Sequence, residues 1–241
     1  QKQVKETEAQ AYGLLTSGDD VYLLVKKKDI MMEGGFELLG YRSTDSTSFP
    51  RLVLKDKQGN SLKVLSFTND PNTGKPYLSG NIIHATRGNR HMLGRQLGQG
   101  AYMGVFTINV NGPKKADIKE IYSYWSDASQ SFISKKGYCT NTQSYPRFTT
   151  SFKDYQGNTY YVGSSLVKRL RVGTLASTVI TAPLIIPPLL ILPASGLQKC
   201  RFTDAVVIRQ NEKGALSFEN SIETNYTKFF RAGDPISMWN N

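Results

Sequence analysis

The chain has 241 residues, long enough for one large β domain or two small ones with a real core, and a formal net charge of +11. Two cysteines, Cys139 and Cys200, cannot supply the four clustered ligands of a structural zinc site. They are either a disulfide of an oxidising compartment or two unrelated buried thiols. The basic residues are spread out, with short separate clusters at Lys26-Lys27-Lys28, Lys114-Lys115 and Lys135-Lys136. None forms the long basic block of a nucleic-acid tail, so nucleic acid is not the expected partner. The charge reads first as a solubilising surface and second as an attraction to acidic partners.

A hydrophobic fraction of 39% is ordinary for a globular protein, and 13 Tyr, 11 Phe and 21 Gly favour strands and tight turns over helices. Gln1 to Ala11 is polar and mixed in charge, so the N-terminal arm is placed at 1–20 and a β domain at 21–241. In chain order, Val21–Val25 and Phe36–Tyr41 read as strands around a Glu33-Gly34-Gly35 turn. Gly74-Lys75-Pro76-Tyr77-Leu78-Ser79-Gly80-Asn81-Ile82-Ile83 reads as a turn entering a short strand. Gly88–Gly104, rich in Gly, Arg and Gln, reads as a long loop, and Ala101–Val110 as a strand. Ala116–Ala128 fits a short helix carrying Ile118, Ile121, Tyr122 and Trp125 on one face.

A hairpin recurs. Leu52-Val53-Leu54 leads through Lys55-Asp56-Lys57-Gln58-Gly59-Asn60 into Ser61-Leu62-Lys63-Val64. Thr150-Ser151-Phe152 leads through Lys153-Asp154-Tyr155-Gln156-Gly157-Asn158 into Thr159-Tyr160-Tyr161-Val162. A weaker copy turns at Asn211-Glu212-Lys213-Gly214. Glycine accepts the positive φ of such turns, and Asp or Asn bonds the turn backbone. The turn glycines Gly59, Gly157 and Gly214 are about 98 and about 57 residues apart, against a blade period of roughly 40–50. That spacing predicts an all-β, propeller-like or stacked β-hairpin architecture with one apolar inserted loop or helical hairpin; an unrelated β-sandwich is the alternative.

The insertion is Val172–Gln198, a run without a charged residue, flanked by Lys168, Arg169 and Arg171 before it and by Lys199 and Arg201 after it. Its length suggests a transmembrane helix, but Pro183, Pro187, Pro188 and Pro193 obstruct one and leave no proline-free piece long enough to span a bilayer. Seven large aliphatics, Leu184, Ile185, Ile186, Leu189, Leu190, Ile191 and Leu192, crowd its tip. Hiding them from water is worth roughly 10–20 kcal/mol, comparable with the net stability of a whole domain, about 5–15 kcal/mol. They are expected to bury in the protein's own core, in a lipid or in a partner, and a proline-broken apolar loop favours partner or membrane.

Chemistry is sparse. His84 and His91 lie in a loop-like stretch, and no Ser or Cys stands in a nucleophile motif, since Gly163-Ser164-Ser165 lacks the closing glycine. Gly98-Gln99-Gly100 has the wrong spacing for a dinucleotide loop. Asp56 and Asp154 are explained by turn-making and Asp19-Asp20 by capping a turn, so no carboxylate pair of a glycosidase stands out. Tyr122, Tyr124 and Trp125 read as core packing, with stacking on sugars or bases as the alternative. No catalytic residue, cofactor site or metal site is assigned, and the chain reads as a non-enzyme.

The Lys-Asp-x-Gln-Gly-Asn hairpins, the Gly74–Gly80 turn and a mature-looking Gln1-Lys2-Gln3-Val4 start together resemble exported β-repeat proteins of the Bacteroidota cell envelope. The start fits cleavage after a small residue, as does an arbitrary boundary, and it lacks a lipid-bearing Cys. The resemblance covers the β portions and carries no site residues over. It implies a periplasmic or outer-membrane-associated subunit, with the plug of the type 9 secretion translocon as the specific candidate. The partner would be an outer-membrane protein or translocon complex, with bilayer contact through the apolar loop and the seven aliphatics as the binding residues. The alternative is a carbohydrate-binding or carbohydrate-cleaving envelope protein.

Overall fold

The computed structural model describes residues 9–27, 35–45, 47–83, 102–127, 131–170 and 198–223, with backbone alone over 166–170 and 198–203. The described chain is all-β, as the sequence predicts, and forms three antiparallel four-stranded sheets without a closed barrel. Sheet 1 runs β1 (Ala9–Ser17), β2 (Asp20–Lys27), β3 (Phe36–Arg42) and β4 (Leu52–Val53). Sheet 2 runs β5 (Ser61–Asn69), β6 (Pro76–Ile83), β7 (Tyr102–Val110) and β8 (Ile118–Tyr124). Sheet 3 runs β9 (Tyr145–Lys153), β10 (Thr159–Leu170), β11 (Gln198–Gln210) and β12 (Leu216–Glu223). In each sheet the strands follow one another in chain order, so every pairing is between strands consecutive in sequence.

The sheets stack face to face with sheet 2 in the middle. Alternation along its strands sends odd and even residues to different cores. Leu62 and Val64 of β5, Leu78 and Ile82 of β6, and Phe106, Ile108 and Val110 of β7 join Tyr22, Leu24, Phe36 and Leu38 of sheet 1 in an apolar core. Val105 faces the other way, into a second core with Phe148, Tyr161, Val206 and Ile208 of sheet 3. All eight residues of β6 are buried, as a strand covered on both faces must be.

The recurring turn is real at atomic level. Asp56 Oδ1 accepts from the Gln58 and Asn60 N–H groups at 2.9 and 2.7 Å, and Asp154 Oδ1 accepts from Gln156 and Asn158 at 2.9 and 2.8 Å. Asn211 Oδ1 accepts from Lys213 and Ala215, both at 2.9 Å. The φ values of Gly59, Gly157 and Gly214 are 82°, 85° and 85°. The environments differ: Asp56 is buried, and its Oδ2 also accepts the Tyr124 hydroxyl at 2.8 Å, whereas the Asp154 turn is more open to solvent. Asp56→Ala is expected to cost about 2–3 kcal/mol and Asp154→Ala about 1 kcal/mol, measured as shifts in the urea unfolding midpoint.

Four expectations need correction. The turn spacing does not report a blade period, because the Asp56 turn joins β4 of sheet 1 to β5 of sheet 2, while the Asp154 and Asn211 turns both lie inside sheet 3. One local turn chemistry serves two different places in the topology. Residues 9–17 are not part of an arm but an edge strand, paired with β2 from Ala9↔Lys27 to Ser17↔Asp20. The Ala116–Ala128 helix is instead β8, preceded by a 3-10 turn over Lys115–Asp117. Finally, where the loop reading of Gly88–Gly104 overlaps the strand reading of Ala101–Val110, the strand holds, since Tyr102–Val110 is β7.

Candidate functional site

Beside the second apolar core, sheet 2 and sheet 3 also meet through a row of buried polar side chains. Tyr77, Ser79 and Asn81 alternate along the sheet 3 face of β6. The hydroxyls of Tyr77 and Thr159 share a hydrogen bond of 2.6 Å, those of Ser79 and Ser151 one of 2.8 Å, and Asn81 Nδ2 donates to the Phe148 carbonyl at 3.2 Å. Tyr161, fully buried, directs its O–H at the Phe106 carbonyl (2.8 Å) and Gln210 Oε1 (2.9 Å). Burial pushes the Tyr77 phenol up to about 12 and that of Tyr161 well above its ordinary value, so both remain protonated hydroxyls. Such a network fixes how one sheet sits on the next, which a purely apolar face does less strictly.

At one end of the stack the Asp70–Lys75 loop ties all three sheets together. Ser17 Oγ of β1 donates to the Gly74 carbonyl at 2.9 Å, and Asn72 Nδ2 donates to the Tyr155 carbonyl of sheet 3 at 3.0 Å. Lys153 Nζ forms an ion pair with Asp70, donates to Asn109 Oδ1 at 3.2 Å and lies 5.1 Å from the centre of the Tyr77 ring. The side chains of Lys153 and Asp70 are only 11% and 5% exposed. Beside them, Tyr77, Asn109, Lys153, Thr159 and Glu212 line a cavity of about 30 Å³, room for one or two waters and far below the ~300–1,000 Å³ of a small-molecule site.

The opposite end carries the long connections. By the strand registers, Ala9 and Lys27 of sheet 1, Ile83 and Tyr102 of sheet 2, and Leu170, Gln198 and Glu223 of sheet 3 all lie there. β10 and β11 are the longest strands, of 12 and 13 residues. β9 stops pairing at Tyr145, opposite Leu166, and β12 at Glu223, opposite Asp204. The β10–β11 pairing continues through Val167↔Arg201, Lys168↔Cys200 and Arg169↔Lys199 to Leu170↔Gln198, and among the described residues no third strand pairs with that stretch. The result is a two-stranded extension of the sheet, with a bulge at its root between Ser164 and Leu166, where the local twist increases.

The root is braced. Ser144 Oγ donates to Ser165 Oγ at 2.7 Å, both groups being buried. The segment 131–144 packs Phe132, Ile133 and the free thiol Cys139 into the second core, and Trp125 Nε1 donates to the Tyr102 carbonyl at 2.9 Å. Trp125 is therefore core, and Tyr122 and Tyr124 pack partly buried against the first core. Exposed aromatics occur elsewhere, at Tyr12, Phe152 and Tyr155.

The sequence-predicted binding residues Leu184, Ile185, Ile186, Leu189, Leu190, Ile191 and Leu192 lie outside the described residues, as do His84, His91 and Gly98-Gln99-Gly100. Gly163-Ser164-Ser165 is a buried stretch of β10. Asp20 caps no turn; it forms an ion pair with Arg42, with Oδ1 2.8 Å from Nε. Sequence reading missed Lys153, Asp70 and Asn109. The available signal was Lys153 itself, which shares strand parity with the inward-facing Ser151. Among the described residues no three His, Cys, Asp or Glu side chains converge to hold a metal ion, and no helix is long and apolar enough to cross a membrane.

Fold and site together define a three-sheet stack with a tight polar clamp at one end and the two-stranded extension of β10 and β11 at the other. No protein-family model, curated protein or solved structure matches this chain.

Proposed function

We propose that this protein is a non-enzymatic interaction protein of the bacterial periplasm. It docks, plug-like, on an outer-membrane protein or secretion translocon through the apolar segment Val172–Gln198. One observation carries the reading. The two longest strands run on as a ribbon beyond the sheet and end at Leu170↔Gln198, at the borders of that uncharged segment. A β ribbon anchored in a buried, hydrogen-bonded root is a rigid arm for presenting an apolar tip, and large apolar surfaces offered in this way mark interaction sites.

The test is replacement of Pro183–Pro193 by a short Gly-Ser linker in the full chain. The variant is expected to keep its near-UV circular dichroism and its unfolding midpoint, to gain solubility, and to lose co-purification with its partner from native membranes. An unfolded variant would put the seven aliphatics in the protein's own core and end the reading. So would a folded variant that captures the partner as well as the parent does.

A further inference from the structure

We infer that the turn between β7 and β8 is a self-modifying site, where the Gly112 backbone nitrogen displaces ammonia from the Asn111 side chain and Asn111 becomes aspartate or isoaspartate without an enzyme. Asn111-Gly112 is the one Asn-Gly pair in the sequence. It lies directly after β7, ahead of the Lys115–Asp117 3-10 turn that leads into β8. Asn111 is exposed and Gly112 half-buried. Among the described residues the Asn111 carboxamide makes no hydrogen bond, and the Gly112 N–H finds no acceptor. Every other described asparagine has its carboxamide tied: Asn72 donates to the Tyr155 carbonyl, Asn158 to Asp154, and Asn211 accepts from Lys213 and Ala215, to name three. Those asparagines must first break a hydrogen bond, and each is followed by a residue whose side chain crowds the attacking nitrogen.

The turn itself dictates glycine at 112. The Asn111 N–H donates to the Asp117 carbonyl at 3.0 Å, the Asp117 N–H to the Lys114 carbonyl at 2.9 Å, and the Lys114 N–H to Asp117 Oδ2 at 3.1 Å. A Cβ on residue 112 would stand 2.6 Å from Asp117 Oδ2 and 3.1 Å from its Cγ, so a side chain there would push the capping carboxylate out of place. The same missing side chain leaves the Gly112 nitrogen open and its backbone easy to turn. The step balances with water alone. The Gly112 amide gives its proton to solvent base, its nitrogen bonds to Asn111 Cγ, the Cγ–Nδ2 bond breaks, and Nδ2 leaves with a proton as ammonia. The five-membered imide then takes up one water at either carbonyl, opening to aspartate or, with the main chain routed through Cγ, to isoaspartate. Both reacting groups sit on adjacent residues, so the attack is intramolecular and needs only rotations that no hydrogen bond opposes. Conversion places a carboxylate in the same turn as the exposed Lys114 and Lys115 and lowers the formal net charge of +11 by one.

Peptide mapping by mass spectrometry tests this on the full chain, incubated folded in mildly alkaline buffer and, in parallel, unfolded in urea. In the folded chain Asn111 is expected to convert before any other described asparagine, to a mixture of aspartate and isoaspartate, faster as the pH rises. Asn72, Asn141 and Asn220 are expected to stay intact over the same time. Unfolding is expected to leave the Asn111 rate nearly unchanged, because the fold does not hold that side chain, and to speed the others. Asn111→Gln is expected to lose the conversion, since its ring would have to close with one more atom, and Gly112→Ala to slow it to the level of the other asparagines. An Asn111 that stays intact in the folded chain overturns the inference, whether or not it converts in urea, and this readout needs no variant to fold. So does a folded chain in which Asn72, Asn141 or Asn220 converts first, or a folded Gly112→Ala variant that converts as fast as the parent.

Discussion

Lys153→Met is expected to destabilise the protein by about 3–5 kcal/mol, the usual consequence of stranding one partner of a buried ion pair. Asp70 keeps its carboxylate in a site only 5% exposed, with Lys153 as its cation. The remaining hydrogen bonds, from the backbone N–H groups of Asn72 (2.9 Å) and Thr73, cannot neutralise the charge. Asn109 Oδ1 loses its donor as well, and the loop that ties the three sheets together loses its link to β9. Lys153→Met combined with Asp70→Asn is expected to recover a good part of the loss, because no unpaired charge is then buried. The measurement is a double-mutant cycle by urea unfolding at neutral pH. A single-variant cost below about 1 kcal/mol would place the pair among exposed salt bridges instead.

The same pair sets an acid limit. Burial alone would raise the Asp70 carboxyl, but the hydrogen bond from Lys153, the backbone N–H groups of Asn72 and Thr73 and the Lys153 charge outweigh it, and the net shift is downward. The unfolded carboxyl titrates near 3.9. A group lowered on folding gives its full stabilisation above that value and loses it as the pH falls through the lower folded value. The parent is therefore expected to lose stability from about pH 4 downward, and Asp70→Asn to show a flatter profile in that range.

What was legible in the sequence was local. The turns at Asp56, Asp154 and Asn211 are closed by side chains bonding backbone no more than four residues away, so five residues suffice to read them. Which sheet each flank joins is decided by distant partners, and there the reading by repeat spacing failed. β1 was hidden because the bulge between Ala11 and Gly13 breaks its alternation and most of its side chains face solvent. β8 passed for a helix because the middle sheet is covered on both sides. Ile118 and Tyr122 pack with the first core while Ser123 and Trp125 turn towards sheet 3, and apolar residues at both parities also satisfy a period of 3.6. The Lys153–Asp70 clamp joins residues 83 apart, beyond any local pattern. Of the proposed docking site, the sequence supplied the apolar run and its basic flanks; the extension of β10 and β11 past β9, and hence the register of those flanks, required the fold.

Gly80→Ala is expected to cost about 3 kcal/mol or more, above the usual range for adding one methyl group to a packed core. Gly80 pairs with Val64 where β5 bulges between Val64 and Ser66, and the bulge brings the β5 backbone over it. A Cβ there would sit 1.9 Å from the Lys63 carbonyl oxygen and 2.9 Å from Phe106 Cε1. The carbonyl is backbone of the neighbouring strand, so relief requires β5 and β6 to part, and β6 is held between two cores that resist any shift. Gly74 isolates the other reason for glycine. Its φ is 65° and nothing lies within 4 Å of its would-be Cβ, so Gly74→Ala meets only the left-handed backbone penalty of about 1–2 kcal/mol. Urea midpoints of the two variants, compared at equal slope, are expected to place Gly80→Ala clearly below Gly74→Ala. The reverse order would mean that the strands at the bulge stand further apart than the close approach at Gly80 requires.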